Sequence, residues 1–401
     1  MKILSITAQK PDSTGSGVYL TELVKGFLKL GHEQAVITGI TNKDHVQMPE
    51  EMDVFPVYYQ TAKLPFPIVG MSDEMPYEST RYCDMTDSMT QQYRTAFADK
   101  IQEVIEKFQP DVILCHHLYY LAALVRELCP NIKVYGISHG SDLRQIQKNS
   151  WQREYIKQYI CQLDHIFALH REQKYDICKY YGCKEEKIEV IGTGYNSDVF
   201  FQQSWKVKEN KKLRLIFAGK ISEKKGVMSL IRSIDYIPDA ANKIEIAIAG
   251  GYGNAKEYEN IIQLAESCSC RVKFLGKLSQ KALAEELNKS DIFILPSFFE
   301  GLPLVIIEAM ACGLHVVCTD LPGIQNWLEE NIPGNGVQFV KPPQMHNADE
   351  PIPETLPIFE RRLAEAIQKV QTNPLPKQEL IKKISWDGLC EKLNQYFREV
   401  M

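Results

Sequence analysis

The sequence contains no run of about 20 apolar residues, the length that an α-helix needs to cross a bilayer. The apolar part of its start, MKILSITAQKPDSTGSG, is too short for a signal peptide and is typical of a first β-strand. The 11 cysteines include no Cys-x-x-Cys pair, which argues against a disulfide framework and against a zinc site. We therefore expect free thiols in a reducing compartment, in a cytoplasmic protein without a metal site, a cofactor or a transmembrane segment.

An excess of positive charge is also missing. Lysine and arginine number 46 against 51 aspartates and glutamates, a net charge of −5, which excludes a basic nucleic-acid-binding protein. With 44% hydrophobic and 24% charged residues, the composition is that of a globular protein rather than of a disordered chain or a coiled coil. A length of 401 residues predicts two or three domains.

Short apolar runs alternate with amphipathic stretches along the chain. Runs such as 2–8 and 111–117 in the first half, and 213–219 and 291–297 in the second, are typical of parallel strands that are buried on both faces. The polar, lysine-rich stretch 200–212 separates the two series and predicts a linker. We therefore predict an α/β protein of two tandem doubly wound, Rossmann-like domains that face a cleft.

The predicted domains comprise residues 1–203 and 204–385. A final helix, 386–401, follows the sequence PLPKQEL and is predicted to cross back to the first domain. Ligands of open α/β sheets bind beyond the carboxyl ends of the strands, so the loops that follow the strands are the candidate binding elements.

The loop after the first strand carries Gly15 and Gly17 just before a helix. Glycine lets the backbone approach a ligand closely, and free N–H groups at a helix start favour an anion. The spacing is not Gly-x-Gly-x-x-Gly, because Leu20 stands at the third position. The loop is therefore either an anion-binding element or a turn that needs glycine for its own geometry.

Three further loops carry polar groups or glycines. The motif SHGSD places His139 and Asp142 after a strand, where each could bind a hydroxyl or be structural. In AGKISEKKG, Lys220 and Lys225 could hold a diphosphate beside helix N–H groups, although a solvated charged turn is the simpler alternative. The glycine-rich loop IAGGYGN could admit a flat ring or a phosphate.

The fourth loop of the second domain, PSFFEGLPLVIIEAMACG, holds two carboxylates. Glu300 ends the loop, and Glu308 follows on a helix for which Pro303 suits the first position. A carboxylate on so apolar a helix needs a partner, which could be the vicinal hydroxyls of a ribose or a lysine. Together, lysines, carboxylates and glycine turns are the groups that bind a nucleotide diphosphate-sugar.

Over essentially its whole length the sequence resembles the retaining glycosyltransferases of family four, which have the two-domain GT-B fold. The resemblance rests on a glycine-rich first helix, a His-Gly pair, a segment that precedes the second domain, a lysine turn and an E-x7-E signature. These stretches are GSGVYLTELVKGFLKLGHE, His139–Gly140, EEKIEVIGTGYNSDVF, AGKISEKKG and FEGLPLVIIEAMACG. The last of them is the most specific.

The resemblance implies a role for each matching residue. Those implied in catalysis are Lys220, Lys225, Glu300 and His139. Those implied in donor binding are Gly15, Gly17, Gly251, Leu278, Gly301, Leu302, Leu304 and Glu308, the last through the ribose hydroxyls. Those implied on the acceptor side are Ser16 and Asp142.

The resemblance also implies an active hexosyltransferase that moves a sugar from a nucleotide-sugar to a hydroxyl acceptor and retains its configuration. By family frequency the expected donor is a UDP-sugar, with a GDP-sugar as the alternative, and the acceptor is a glycan, a lipid-linked sugar or a small molecule. Lysines would take the role that metal ions have elsewhere, and the lack of an Asp-x-Asp motif predicts metal independence. The family's pattern is broken at Thr14, Asn196, Lys220 and His315, where a glycine, an aspartate, an arginine and a proline are usual.

Two other functions stay open. A non-hydrolysing sugar-nucleotide epimerase shares the fold, but it needs acid/base residues that the sequence does not place. An inactive nucleotide-sugar-binding partner subunit would be expected to lack Glu300, Glu308 or the two lysines, and all four are present.

The stretch 64–89 has neither helical nor strand periodicity and holds four of the 11 methionines. In a compact domain a long irregular segment is more often functional than not. We interpret Met71, Met75 and Tyr77 as an adaptable apolar surface that binds the acceptor, the alternative being that they cover the domain's own sheet. The acidic residues of the stretch argue against binding to anionic lipid.

Overall fold

The computed structural model describes residues 1–11, 13–203, 212–347 and 349–399. These residues form two compact units. Unit 1 comprises Met1–Gly194 and the segment that begins at Trp386, and unit 2 comprises Tyr195–Ser385.

The division between the units lies earlier than the predicted boundary at residue 203. The stretch that precedes the second series of strands is bound to unit 2, where the Asn288 side chain donates to Phe201 O at 3.0 Å and accepts from Gln203 N at 3.0 Å. These bonds attach the residues just before the predicted boundary to unit 2, in agreement with a division after Gly194. Of the predicted linker, residues 204–211 lie outside the described part of the chain.

Unit 1 is built on a seven-stranded parallel sheet. Its strands are β1 (Lys2–Ile6), β2 (Glu33–Thr41), β3 (Asp53–Tyr59), β6 (Val112–His116), β7 (Lys133–Ile137), β8 (His165–Ala168) and β9 (Ile188–Val190). Their order in the sheet is β3-β2-β1-β6-β7-β8-β9. Strand β6 is buried along its whole length and β7 at every position but the first, as expected of apolar strands covered by helices on both faces.

The helices of unit 1 are α1 (Gly15–Lys29), α2 (Asp87–Phe108), α3 (Tyr120–Leu128), α4 (Ser141–Lys148), α5 (Arg153–Ile160), α6 (Arg171–Tyr181) and α15 (Trp386–Glu399). Of these helices, α1, α3, α4 and α6 each follow a strand of this sheet. Helix α1 begins at Gly15 because the Thr14 side chain accepts a hydrogen bond from Gly17 N at 3.2 Å. Its apolar face, which includes Leu23 and Phe27, is buried.

The stretch 64–89 is not irregular throughout, which corrects its prediction as a structureless segment. It contains a two-stranded parallel sheet of β4 (Ile68–Gly70) and β5 (Ser79–Arg81). Its side chains Leu64 and Phe66 belong to the core of unit 1. Strands of three residues are too short to give a period in the sequence, so the pattern does not show them.

Unit 2 is built on a six-stranded parallel sheet. Its strands, in the order β12-β11-β10-β13-β14-β15, are β10 (Leu213–Ala218), β11 (Ile244–Ala249), β12 (Arg271–Gly276), β13 (Ile292–Leu295), β14 (His315–Thr319) and β15 (Gln338–Val340). Its helices are α7 (Val227–Ser233), α8 (Ala240–Lys243), α9 (Ala255–Glu266), α10 (Gln280–Asn288), α11 (Leu304–Ala311), α12 (Ile324–Asn331), α13 (Leu356–Lys369) and α14 (Gln378–Lys382). The predicted α/β class with two parallel sheets is confirmed, and β15 is a strand that the sequence pattern does not show.

Helix α15 packs on α1 of unit 1, although the whole of unit 2 separates the two in sequence. The Phe397 and Phe27 rings lie 5.6 Å apart, and the Trp386 ring meets the Tyr19 ring edge-on at 5.0 Å. A Cβ at Gly26 would come within 2.2 Å of Cys390 Sγ, so the absence of a side chain at Gly26 lets the two helices pack closely. The fold of unit 1 therefore includes its distant last helix.

Within the described ranges, we find no helix with the length and apolar character needed to cross a membrane.

Candidate functional site

Both sheets reverse their strand order at one point, between β1 and β6 in unit 1 and between β10 and β13 in unit 2. In open α/β sheets the ligand lies beyond the carboxyl ends of the strands at such a point. The loops after β1, β10 and β13, together with the helices that they lead into, contain most of the residues selected from the sequence. Each unit therefore presents a candidate half-site that can be described by itself.

In unit 1 the two glycines of the first loop differ in what they do. A Cβ at Gly17 would come within 2.4 Å of Pro11 O, so this glycine is required by the packing of its own loop. Gly15 is exposed, and no atom lies within 4 Å of the place that its Cβ would take. Only Gly15 leaves the backbone at the start of α1 open to a ligand.

Three histidines, His116, His117 and His139, lie together beyond the ends of β6 and β7, and we call them the histidine cluster. The His139 ring centre is 5.3 Å from that of His116 and 4.8 Å from that of His117. His116 Nδ1 is 3.2 Å from His139 Nε2, and His117 Nε2 is 3.1 Å from Ser16 Oγ. The sequence indicates His139 alone, because His116 and His117 read there as the end of a buried strand.

The histidine cluster is neutral near pH 7. Burial lowers the pKa of His116 to about 3 and that of His117 to about 4. Burial, and next the neighbouring His117 and His116, hold the pKa of His139 well below its usual range. The cluster therefore offers hydrogen-bonding groups rather than positive charge.

Asp142 is not available to an acceptor, which corrects its prediction as an acceptor-binding residue. It is fully buried, and its carboxylate accepts hydrogen bonds from Leu118 N at 2.7 Å, Ser138 Oγ at 3.0 Å and Leu143 N at 3.0 Å. These bonds join the loop after β6 to the start of α4. The carboxylate therefore shapes the loops that carry the histidine cluster.

Met71 and Met75 are also buried, at 4% and 3% exposure, so the prediction that they form an acceptor-binding surface is wrong. Met71 belongs to the core of unit 1, and the Met75 side chain packs over Gly70. The alternative interpretation, that they cover the domain's own sheet, applies to both methionines. Tyr77 is only partly buried, with the Lys10 ammonium 4.7 Å from its ring centre, and its acceptor role stays a prediction.

In unit 2 the loops after β10 and β13 are bound to each other. Lys225 Nζ donates to Glu300 Oε1 at 2.7 Å and to Phe299 O at 3.4 Å, and Phe298 N donates to Lys224 O at 3.0 Å. The side chains of Lys225 and Glu300 remain 27% and 14% exposed. A half-buried ammonium and a carboxylate thus stand together at the point where the strand order reverses.

Glycines allow this close approach of the two loops. Gly226 has a φ of +69°, and a Cβ there would lie 2.0 Å from Pro296 O. Gly250, which follows β11, has a φ of +151°, and a Cβ there would lie 1.7 Å from Gly219 O, so this glycine brings the loop after β11 close to the loop after β10. At Gly251, by contrast, a Cβ would meet open space, so the predicted donor-binding glycine is the one that is free to face a ligand.

A second ion pair of this half-site is not apparent from the sequence. Lys224 Nζ lies 3.0 Å from Asp349 Oδ2, and the Asp349 side chain is buried. The pair ties the lysine turn to the segment that follows β15. Two adjacent lysines of the turn are thus fixed by carboxylates from two different loops.

The remaining predicted residues of unit 2 lie around this pair. Glu308 is in the second turn of α11 and is 8% exposed. Gly301, Leu302 and Leu304 surround Pro303, the residue that precedes α11, so their N–H groups belong to the start of that helix. Lys220 follows β10, and Leu278 lies half-buried after β12.

Within residues 1–11, 13–203, 212–347 and 349–399, no three histidine, cysteine, aspartate or glutamate side chains are grouped so as to hold a metal ion.

Two family profiles match the chain in succession. The one described as Glycosyltransferase Family 4 matches residues 13–199, and the one described as Glycosyl transferases group 1 matches residues 199–356. An uncharacterized glycosyltransferase of Methanocaldococcus jannaschii is 24% identical over 420 aligned positions, which cover 99% of this chain and 98% of that protein.

Solved structures share the whole fold. Sucrose-phosphate synthase from Thermosynechococcus elongatus superposes with a TM-score of 0.72 at 16% identity and covers 100% of this chain and 99% of that one. The Anabaena protein HepE, in complex with UDP and glucose, superposes with a TM-score of 0.68 at 14% identity, with 100% of both chains covered.

Proposed function

Because the chain belongs to the family-four glycosyltransferases, which have the GT-B fold, and is a hexosyltransferase, we propose that it transfers a hexose from a nucleoside diphosphate-sugar to a hydroxyl acceptor with retention of configuration. The observation that carries this proposal is the contact between Lys225 and Glu300 at the strand-order reversal of unit 2. An ammonium that a carboxylate holds in place is pre-organised to receive the negative charge of a diphosphate.

The proposed donor site lies in unit 2. Lys225 and Lys220 bind the diphosphate, Glu300 binds the sugar together with the N–H groups at the start of α11, and Glu308 binds the ribose hydroxyls. Support comes from the position of these residues after β10 and β13 and on α11, at the sheet edge where open α/β folds bind nucleotides. Half-burial of the Lys225–Glu300 pair strengthens its field, because less water screens it.

In the proposed reaction the bond between the anomeric carbon and the diphosphate oxygen breaks, while the acceptor oxygen forms a bond to the same carbon from the same face. The proton of the acceptor hydroxyl passes to the departing diphosphate. The lysines stabilise the charge that develops on that leaving group, which is the task that a metal ion performs in other enzymes. This is the basis for proposing a metal-independent reaction.

The proposed base of the donor is uracil. HepE, which has the same fold, is in complex with UDP and glucose, and we extend that ligand class to this chain as a proposal. A GDP-sugar is the second donor to be tested. The acceptor is a hydroxyl compound whose class is not assigned, and Ser16 and His117 of unit 1 are the proposed polar groups on its side of the reaction. His139 is proposed to contact the donor sugar.

The cytoplasm is the proposed location, because all 11 cysteines are free thiols.

Release of nucleoside diphosphate tests the proposal. The protein is incubated with UDP-glucose, UDP-galactose, UDP-N-acetylglucosamine and GDP-mannose, with and without EDTA, and with a panel of glycan, lipid-linked and small-molecule acceptors. We expect more UDP than GDP to be released, and we expect EDTA to have no effect on the release. NMR of the product should show the same anomeric configuration as in the donor. Conversion of one sugar nucleotide into another without such release would identify an epimerase instead, and loss of release in EDTA would contradict metal independence.

A further inference from the structure

His116 and His139 share one hydrogen bond across neighbouring strands of unit 1. His116 is the last residue of β6, where it pairs with Ile137 of β7, and His139 follows two residues after that strand. His116 Nδ1 and His139 Nε2 are 3.2 Å apart, and the two ring planes differ by 11°. Such a short distance between nitrogens of nearly parallel rings requires a hydrogen between them, because two lone pairs would repel.

At neutral pH each ring carries a proton on only one of its two nitrogens, because burial lowers the pKa of both histidines. A single hydrogen between them therefore links the two tautomers. Either His116 Nδ1–H donates and His139 carries its own proton on Nδ1, or His139 Nε2–H donates and His116 carries its proton on Nε2. No other pair of neutral tautomers places a single hydrogen between His116 Nδ1 and His139 Nε2.

The surroundings of His116 Nε2 decide between the two. His116 is 4% exposed, and within the described ranges no hydrogen-bond partner lies near its buried Nε2. A proton on this nitrogen would be a buried donor without an acceptor, which folded proteins rarely contain. The first combination places the proton of His116 on Nδ1, where it has an acceptor.

We propose that His116 is a positioning residue, which donates from Nδ1 to His139 Nε2 and so fixes His139 as an Nδ1–H donor toward a substrate oxygen. Tyr19 supports the arrangement: its ring meets the His139 ring edge-on at 5.1 Å, while its hydroxyl donates to Gly192 O at 3.1 Å and is thereby occupied. The tautomer rests on the geometry of unit 1, and only the substrate oxygen rests on the proposed function. Oxygens of sugar hydroxyls and phosphates both accept from such a donor.

The first test is spectroscopic and needs no activity. The full-length protein is labelled with ¹⁵N in histidine, its long-range ¹H–¹⁵N spectrum is recorded at pH 7.5, and the His139 signals are assigned by their loss in His139→Gln. We expect His139 and His116 each to show a protonated Nδ1 and an unprotonated Nε2. A protonated Nε2 on His139 would overturn the proposal.

Variants at His116 then separate positioning from packing. His116→Asn places an amide N–H close to the position of Nδ1, while His116→Phe fills the volume without a donor. His165→Phe is the matched control, because His165 also lies in the parallel sheet of unit 1 but at the start of β8. We expect the proton of His139 to redistribute between Nδ1 and Nε2 in His116→Phe and to stay on Nδ1 in His116→Asn. The control should lose only the signals of His165 and leave those of His139 unchanged.

Kinetics supply the second readout. We expect His116→Phe to lower kcat/KM of nucleoside diphosphate release by about 10- to 100-fold, by analogy with residues that orient metal-binding histidines, with His116→Asn recovering most of the loss. Circular dichroism confirms that each variant is folded. An equal loss in His116→Asn and His116→Phe would overturn the positioning role, whereas absence of release in the wild type with an Nδ1–H tautomer on His139 would refute the proposed function alone.

Discussion

The ion pair between Lys225 and Glu300 holds one ammonium of the lysine turn of unit 2 in place. Without a carboxylate beside it, the Lys225 ammonium would sample many rotamers in water, and ordering it at the moment of reaction would cost free energy. Glu300, 2.7 Å away, keeps the ammonium at one place in the unliganded protein. Position 220 is a lysine here, where the family usually has an arginine, so the same turn lacks a bidentate guanidinium. More of the proposed leaving-group stabilisation therefore falls on Lys225.

Replacing Lys225 by alanine should therefore lower the rate of diphosphate release by about 100-fold or more, equivalent to about 3 kcal/mol of transition-state stabilisation. The change should leave the thermal midpoint of unfolding almost unaffected. Steady-state kinetics with UDP-glucose measures the effect. Lys243→Ala is the matched control, since Lys243 is an exposed lysine of unit 2 that is paired with Asp239 within one helical turn. Equal activity of Lys225→Ala and the wild type would show that the turn is only a charged surface.

The second residue to test in unit 2 is Glu308. The change Glu308→Gln keeps the size of the side chain and removes its charge, so hydrogen bonds to ribose hydroxyls should weaken by about 1 kcal/mol or more. Titration calorimetry with free UDP and GDP measures the loss. Glu329→Gln, an exposed position on α12, serves as the control. Unchanged affinity for both nucleotides would exclude the ribose role.

The histidine cluster makes the stability of unit 1 depend on pH. Burial lowers the pKa of His116 to about 3 and of His117 to about 4, whereas each titrates near 6.5 in the unfolded chain. Between about pH 6.5 and pH 4 the unfolded chain binds more protons, so stability falls as the pH falls, by up to about 1.4 kcal/mol per pH unit for each histidine.

Urea unfolding at pH 7.5 and 5.5 measures this loss. His117→Asn removes one titrating group, keeps a side-chain N–H for Ser141, and suits the left-handed backbone at φ +74°. We expect the variant to lose less stability than the wild type between the two pH values, and exposed His45→Asn to behave as the wild type. The same loss in all three proteins would contradict the assignment.

At the scale of the element, the apolar strands are predictable, even β9 with its three residues, but three other short strands are not. Runs such as 213–219 identify β10 because a strand covered on both faces is apolar over most of its length, with Arg214 as the one charged residue of this strand. Strands β4, β5 and β15 have three residues each, and tertiary contacts rather than local pattern define them. The sequence does not single out His116 and His117 for a related reason. Two polar residues at the end of a buried strand show no periodic hydrophobic pattern that would mark them as functional.

The methionines of the stretch 64–89 show the limit of composition as a guide to function. A methionine in an irregular segment has the same sequence signature whether it binds a ligand or fills the core. Burial separates the two cases: Met71 and Met75 face inward, while Tyr77 stays partly accessible. The earlier expectation that all three act on the acceptor therefore holds as a prediction only for Tyr77.

Substitution of these methionines should change stability rather than acceptor binding. Met71→Ser leaves a cavity and buries a hydroxyl, which should cost about 2–4 kcal/mol of the free energy of unfolding. Met71→Leu, which conserves volume, should cost less than about 1.5 kcal/mol. Chemical denaturation of both variants measures the difference. A stable Met71→Ser protein with a raised acceptor KM would restore the original interpretation.

At the scale of the whole molecule, unit 1 depends on a helix that the chain supplies only after unit 2. The Phe397 ring packs on Phe27 of α1 and lies 5.2 Å from the Tyr135 ring of β7, so one side chain joins α15 to a helix and to the sheet. Trp386, at the other end of α15, packs on Tyr19, which in turn contacts His139. Helix α15 thus supports the histidine cluster through the contacts of Trp386 with Tyr19 and of Tyr19 with His139.

Phe397→Ala should cost about 3–5 kcal/mol, and the loss should be confined to unit 1. Hydrogen exchange followed by mass spectrometry checks this: peptides from β1, α1 and β7 should exchange faster, while those from β10 and β13 should not change. Gln395→Ala, on the exposed side of α15, is the matched control. Faster exchange in both units would show that α15 does not act on unit 1 alone.

Because α15 belongs to unit 1 but follows unit 2 in the chain, unit 1 can be completed only after unit 2 has been translated. A ribosome that adds about 5–20 residues per second needs roughly 10 to 40 s to translate Tyr195–Ser385 after the first part of unit 1 has emerged. During that interval the surface of α1 that will receive α15, with Tyr19 and Phe27 on it, has no covering helix. Unit 2 can finish folding first, although it is translated second, and the nascent first unit is the part of the chain that a chaperone has the longest time to bind.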